Sequence, residues 1–241
     1  MTTLTDQIAV VTGSSSGIGK ALALGLAAQG TRLCLVGRNE DRLKVVAEQV
    51  QATAHGVKSY RVDLESEKEI VEFSRRLKED VGRVDILIHS AGIITTGTID
   101  RAPVESLDRQ YAINVRAPYL LTQTLLPLMR ASQGQIVFIN SSAGINARAA
   151  VGQYAITKHA LKAMADNLRE EVNPDGVRVL SVFLGRTDSP MQEAVHKTEG
   201  RSYHPEFLIR PEDVTSAVIT SLSVTRNSEV TDIHIRPLKK L

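Results

Sequence analysis

Short runs rich in Val, Ile and Leu recur at Ile8 to Val11, Arg32 to Val36, Ser59 to Val62, Asp85 to His89, Gln135 to Asn140, Arg178 to Phe183 and Asp232 to Ile235. They predict seven strands, and several are apolar almost throughout, as burial on both faces requires. Between them, residues such as Leu43, Val46, Ala47 and Val50, or Ile70, Phe73, Ser74 and Leu77, fall at helical spacing. Strand and helix alternate along the chain. That order predicts an α/β fold of the Rossmann type: a doubly wound, mainly parallel, seven-stranded sheet with helices on both faces, because right-handed crossovers lay each helix over the sheet. No repeat, low-complexity tract or linker divides residues 1–241, so one domain is expected. The loosest stretch, residues 189–211, mixes Pro, Gly, His and charge after the sixth strand. It lies at the carboxyl end of a strand, where open α/β sheets bind ligands, and reads as a mobile substrate lid.

Composition narrows the function classes. With 241 residues and 42% apolar content the chain can bury one sizeable core. A formal charge of +2, with no long run of Lys or Arg, argues against nucleic acid as a partner. The single cysteine, Cys34, sits in an apolar run and reads as a small buried hydrophobe in a reducing cytoplasm. Met1 to Ile8 lacks the pattern of a signal peptide, and no apolar stretch approaches the ~20 residues of a membrane span. The six histidines are scattered without paired spacing and no acidic cluster stands out, so no metal is expected.

Chemistry enters at the first strand, which runs into Thr12-Gly13-Ser14-Ser15-Ser16-Gly17-Ile18-Gly19-Lys20 before a helix through Ala21 to Gln29. Glycines in such a turn let the backbone approach a pyrophosphate, and the free N–H groups of the helix start stabilise its charge. The second strand ends in Gly37-Arg38-Asn39. An acidic residue there would bind a ribose 2′-hydroxyl, whereas a guanidinium suits a 2′-phosphate, so NADP(H) is expected over NAD(H), unless Arg38 is a solvated surface charge. Farther along, Tyr154 and Lys158 lie four residues apart in a helical stretch, on one face. A nearby ammonium favours the phenolate, so Lys158 is expected to lower the pKa of Tyr154. Pro118 follows Asn114 by four residues and has no N–H, so a regular helix would leave the Asn114 carbonyl free to bind water, unless Pro118 simply kinks the helix.

Over nearly its whole length the sequence resembles the compact type of short-chain dehydrogenase/reductase. Thr12 to Gly19 is similar to that family's Thr-Gly-x-x-x-Gly-x-Gly turn, and Tyr154 to Lys158 to its Tyr-x-x-x-Lys. Asp63-Leu64 resembles its adenine-contacting segment, and Ser90-Ala91-Gly92 its Asn-Asn-Ala-Gly, with His89 and Ser90 standing for the two asparagines. The resemblance implies cofactor contacts at Gly13, Ser15, Ser16, Gly17, Ile18, Gly19, Asp63, Leu64, Ser90, Ala91 and Gly92. It implies a catalytic serine thirteen residues before the tyrosine and three before a glycine; both spacings choose Ser141 over Ser142. Ser141 would hold the substrate oxygen, or else merely cap a turn. Asn114 is implied as a fourth catalytic member through a water linked to the lysine. In Leu184-Gly185-Arg186-Thr187-Asp188-Ser189 the glycine is kept, and Thr187 and Ser189 both remain candidates for the nicotinamide contact.

The expected activity is hydride transfer between a nicotinamide and a small-molecule carbonyl or alcohol, with Tyr154 as general acid or base. Two readings compete with it: a redox sensor that binds NADP(H) without turnover, and a nicotinamide-dependent epimerase or dehydratase. By the same resemblance, the helices Leu107 to Leu126 and Tyr154 to Leu168 imply a homodimer or homotetramer.

Overall fold

The computed structural model describes residues 2–239. Its strands are β1 (Ile8–Thr12), β2 (Arg32–Gly37), β3 (Gly56–Arg61), β4 (Ile86–His89), β5 (Gln135–Ser141), β6 (Arg178–Leu184) and β7 (Asp232–Ile235). They form one sheet in the order β3-β2-β1-β4-β5-β6-β7, and every neighbouring pair is parallel. The predicted strands are all present, with ends shifted by up to three residues.

Alternation along each strand builds two cores. In β1, Ala9 and Val11 enter one apolar cluster while Ile8 and Val10 enter the other. The first cluster is closed by helices α1 (Gly17–Ala27), α2 (Glu40–Val50) and, from near the carboxyl terminus, Val214, Val218 and Leu222. The second is closed by α3 (Glu67–Val81) and by the long helices after β4 and β5. Cys34 is buried in the second cluster, as expected of a small hydrophobe. Among the described residues no helix is long and apolar enough to cross a membrane.

The helical pattern expected over Leu107 to Leu126 resolves into α4 (Val104–Tyr111), a π-helical turn at Ala112–Arg116 and α5 (Ala117–Ser132). Pro118 thus follows a π-helical turn, across which the Ala117 N–H reaches the Ala112 carbonyl, and does not sit within one regular helix. Helix α6 (Gly152–Val172) carries Tyr154 and Lys158.

Residues 189–211, expected to be the loosest stretch, carry regular structure. Most of it is structured: helix α7 (Pro190–Thr198), a short 3-10 turn at Pro205–Phe207, and an extended approach to α8 (Pro211–Leu222). Ser189 caps α7 by accepting from the Gln192 N–H at 3.2 Å, and Pro190 occupies the first helical position, where a missing N–H costs nothing. Arg186 then ties the helix to the preceding loop through a two-armed contact with Glu199, 2.8 Å on each arm.

Candidate active site

Strand order reverses between β1 and β4, and at such a switch point the loops leaving the carboxyl ends diverge and open a crevice. Two adjoining cavities occupy it. The first, about 480 Å³, lies over the glycine turn; the second, about 210 Å³, lies over β5 and the start of α6.

The glycine turn takes its shape from close backbone approach. Gly13 has φ +69°, and a Cβ there would meet the Ala91 Cα at 2.8 Å. No other residue fits both constraints. Thr12 fixes the same crossing from the strand side: its hydroxyl accepts from the N–H groups of Ser90 and Ala91 at 3.1 and 3.2 Å. Gly13, Ser15, Ser16, Gly17, Ile18 and Gly19 all line the larger cavity, together with Asp63, Leu64, Ser90, Ala91 and Gly92. These eleven residues, expected from the sequence to contact a dinucleotide, thus meet in one place.

Arg38 lies at the edge of that cavity, exposed, as expected from the end of β2. Arg42 lies beside it and was missed. Its placement has a local cause: the Asn39 side chain accepts from the Arg42 N–H at 2.8 Å, capping α2 and bringing the first turn of that helix to the cavity wall. No carboxylate pairs with either guanidinium among the described residues. Glu40 and Asp41 follow in the first turn of α2 but do not line the cavity.

In the smaller cavity stand Ser141, Tyr154 and Lys158, with Ser142 beside them. Lys158 is buried, and its Nζ donates to the Ile139 carbonyl at 3.0 Å while lying 5.7 Å from the centre of the Tyr154 ring. Asn140, which sequence reasoning passed over, holds this corner together. Its Nδ2 donates to the Lys158 carbonyl at 3.1 Å and its Oδ1 accepts from the Ser141 N–H at 2.7 Å. Gly144 permits that approach, since a Cβ would meet the Lys158 carbonyl oxygen at 2.7 Å.

The expected lowering of the Tyr154 pKa is not what the structure gives. Burial pushes the phenol up to about 12, and a hydrogen bond with the Ser141 hydroxyl only partly opposes it. Burial also brings Lys158 down to about 8. In this pocket desolvation outweighs the pairing that the i, i+4 spacing suggested, because it disfavours the charged form of both groups. Ser141 also does the bland job foreseen for it, accepting from the Ala143 N–H at 3.1 Å to cap a 3-10 turn. The capping contact and the contact with Tyr154 coexist.

Asn114, buried, acts through its side chain. Its Oδ1 accepts from the Ile93 N–H at 2.8 Å, and its Nδ2 donates to the Ile93 carbonyl at 2.9 Å and to the Thr157 hydroxyl at 3.0 Å. It therefore clamps the loop after β4 against α6. Gly185, Thr187 and Ser189 line the smaller cavity on the β6 side. The Ser189 hydroxyl is engaged in capping α7 and in donating to the Thr187 carbonyl, while Thr187, buried, donates to the Gly185 carbonyl at 3.2 Å. Tyr203 braces the same loop, its hydroxyl donating to Asp188 and accepting from the Ser189 N–H.

Comparison with known proteins agrees with the geometry. Residues 7–200 match the model of the short chain dehydrogenase family. An uncharacterized oxidoreductase of Staphylococcus saprophyticus is 31% identical over 240 residues, covering 99% of this chain and 100% of the relative. A short-chain dehydrogenase of Salmonella enterica serovar Typhi superposes with a TM-score of 0.88 at 30% identity, covering 96% of each chain. A metagenomic short-chain oxidoreductase solved in complex with NADP superposes with a TM-score of 0.85 at 29% identity, over 99% of this chain and 100% of that one. With the glycine turn and the Tyr-x-x-x-Lys helix placed on a sheet of this order, and the family match running across most of the length, the chain belongs to the short-chain dehydrogenase/reductase family of oxidoreductases.

Proposed function

We propose that this protein interconverts a small-molecule carbonyl and the corresponding alcohol with NADP(H), with Tyr154 as the group that exchanges a proton with the substrate oxygen. The observation that carries the reading is the meeting of Ser141, Tyr154 and Lys158 in one cavity that adjoins the glycine turn.

The larger cavity fits a dinucleotide phosphate on two counts. Gly13 and Gly17, with φ +69° and +51°, hold backbone close to the cavity floor, where N–H groups can face a pyrophosphate. Arg38 and Arg42 stand free of carboxylates among the described residues, where a 2′-phosphate needs counter-charge. Asp63 and Leu64 would flank the adenine, Ser90, Ala91 and Gly92 the sugar and phosphates, and Gly185, Thr187 and Ser189 the nicotinamide. When bound, NADPH supplies the hydride that reduces the carbonyl carbon.

The protein's own part is proton transfer and positioning. With its phenol held neutral well past physiological pH, Tyr154 is a proton donor as it stands, which suits reduction. As the carbonyl carbon gains hydride, its oxygen takes the Tyr154 proton, and solvent replaces that proton afterwards. Ser141 hydrogen-bonds the same oxygen and stabilises its developing charge. Lys158, fixed by the Ile139 and Asn140 contacts, sets the electrostatic environment of the phenol, and Asn114 keeps the loop at Ile93 in register with α6.

The test is oxidation of NADPH in the presence of a panel of ketones, quinones and aldehydes, comparing the parent with Tyr154→Phe. Turnover is expected in the parent and a loss of about 10²–10⁴-fold in the variant, with NADPH binding kept. Full turnover in Tyr154→Phe would remove the tyrosine from the mechanism. Failure of the parent to bind either nucleotide would overturn the assignment as a whole.

A further inference from the structure

The cavity at Tyr154 is walled by more charge than the proton transfer uses. Two guanidinium groups, Arg148 and Arg186, and one carboxylate, Glu199, line it alongside Lys158. Arg186 consumes that carboxylate through its two contacts at 2.8 Å, and Arg201 approaches the same group from outside at 3.7 Å. Lys158 is turned inward to the Ile139 carbonyl. Arg148 has no carboxylate, carbonyl or aromatic partner among the described residues, and no acid remains on the cavity wall to supply one.

A lone exposed arginine is ordinarily a solvated surface charge. Arg148 differs in how its loop is held. Three residues before it and two after, the chain is pinned: the Ile145 and Asn146 N–H groups bond the Ser142 carbonyl at 3.2 and 2.9 Å, and the Ala150 carbonyl accepts from the Gly97 N–H at 2.7 Å. Val151 pairs with Gly97 in an isolated bridge, and Ala150 adopts φ +63°, a left-handed conformation that a non-glycine residue occupies only under constraint. The loop that joins Ser141 to Tyr154 therefore presents Arg148 at the mouth of the cavity from a braced backbone. Of the guanidinium groups lining the cleft, the three without a carboxylate among the described residues are Arg38 and Arg42, over the dinucleotide cavity, and Arg148, over the cavity at Tyr154.

We infer that Arg148 binds a carboxylate of the substrate, so that the site takes small oxo acids and the matching hydroxy acids. This inference rests on the carbonyl–alcohol reading of the same site. A planar guanidinium offers a carboxylate two parallel N–H donors, and a braced loop lowers the ordering cost of that contact. Arg186 lines the same cavity but is tied up by Glu199, so it does not compete for the anion.

The experiment pairs acids with their methyl esters, levulinate with methyl levulinate and acetoacetate with methyl acetoacetate. Affinity is measured by calorimetry against the protein saturated with NADP⁺, and kcat/KM with NADPH wherever turnover occurs. In the parent each acid is expected to bind more tightly than its ester, with a preference that shrinks as salt is added. Arg148→Gln should cut the acid-to-ester affinity ratio by about tenfold or more, and Arg148→Lys should restore much of it. An ester bound as tightly as its acid by the parent, or a ratio unmoved in Arg148→Gln, would overturn the inference. Because the ratio is a binding measurement, its failure in a protein that still binds NADPH and reduces the esters counts against Arg148 alone. A parent that binds no nucleotide counts against the underlying reading.

Discussion

The Lys158 ammonium lies 5.7 Å from the centre of the Tyr154 ring yet forms its hydrogen bond to the main chain, at the Ile139 carbonyl. A buried lysine with a pKa near 8, against 10.5 when unfolded, is a standing cost to the fold. At neutral pH the charged form must be carried into the pocket, a penalty on the order of 3 kcal/mol at about 1.4 kcal/mol per pKa unit. The folded state sheds this proton above pH ~8 and the unfolded chain only near 10.5, so stability should rise with pH across that window. Lys158→Met should abolish the rise and make the protein more stable at pH 7 by about 1–3 kcal/mol, while turnover drops by about a hundredfold or more. The difference between variant and parent in urea melts at pH 7 and between pH 8 and 10 checks this, because Cys34 and the tyrosines titrate alike in both. A variant less stable than the parent at pH 7 would mean that the Ile139 contact outweighs desolvation.

Arg42 shares with Arg38 the cavity edge at the end of β2. If both grip a 2′-phosphate, Arg38→Gln and Arg42→Gln should each weaken NADPH by about ten- to a hundredfold and leave NADH within about threefold, since only the former carries that group. Arg38→Asp should go further and invert the preference. Dissociation constants for the two nucleotides at fixed ionic strength decide the matter. Equal losses for NADPH and NADH would indicate a general electrostatic effect and remove the phosphate contact.

The sheet was legible because its signal is local: strands apolar on both faces and helices of period 3.6 survive in any tertiary setting. The glycine turn was legible for the same reason, as Gly13 and Gly17 are fixed by backbone shape. Arg42 carried a readable signal too, since an Asn39 cap places the residue three positions on in the first helical turn. The start of α7 was equally available in Ser189-Pro190, a cap followed by proline at the first helical position, but the charge and glycine that follow drew the reading toward a loop. Other features had no local signature. The clamp of Asn114 on Ile93 joins residues 21 positions apart, and the desolvation of half-buried Tyr154 and buried Lys158 depends on β5, β6 and the loop after β4 together. The helical spacing of the pair gave their proximity correctly but not their desolvation, and so the direction of the tyrosine shift was misjudged.

His89 stands where the family resemblance places an asparagine, and it carries a titration that asparagine would not. Its ring is buried, stacked on Phe138 with centroids 4.9 Å apart, and its Nε2 lies 2.9 Å from the Thr122 hydroxyl. Burial drives the imidazole down to about 3 from 6.5. Below pH 6.5 the unfolded chain therefore takes up a proton that the folded state refuses. The stability associated with neutral His89 is complete above that pH and drains away toward pH 3, at a limiting rate of about 1.4 kcal/mol per pH unit. His89→Asn should remove this component while keeping a side chain able to reach Thr122. Carboxylate titrations act on both proteins alike, so the difference between them isolates the histidine. Between pH 7 and 4.5 the parent should lose about 2–3 kcal/mol more than the variant in urea unfolding, whatever their relative stability at neutral pH. Parallel stability curves across that range would show that His89 takes up its proton in the folded state, through an opening of the Phe138 stack.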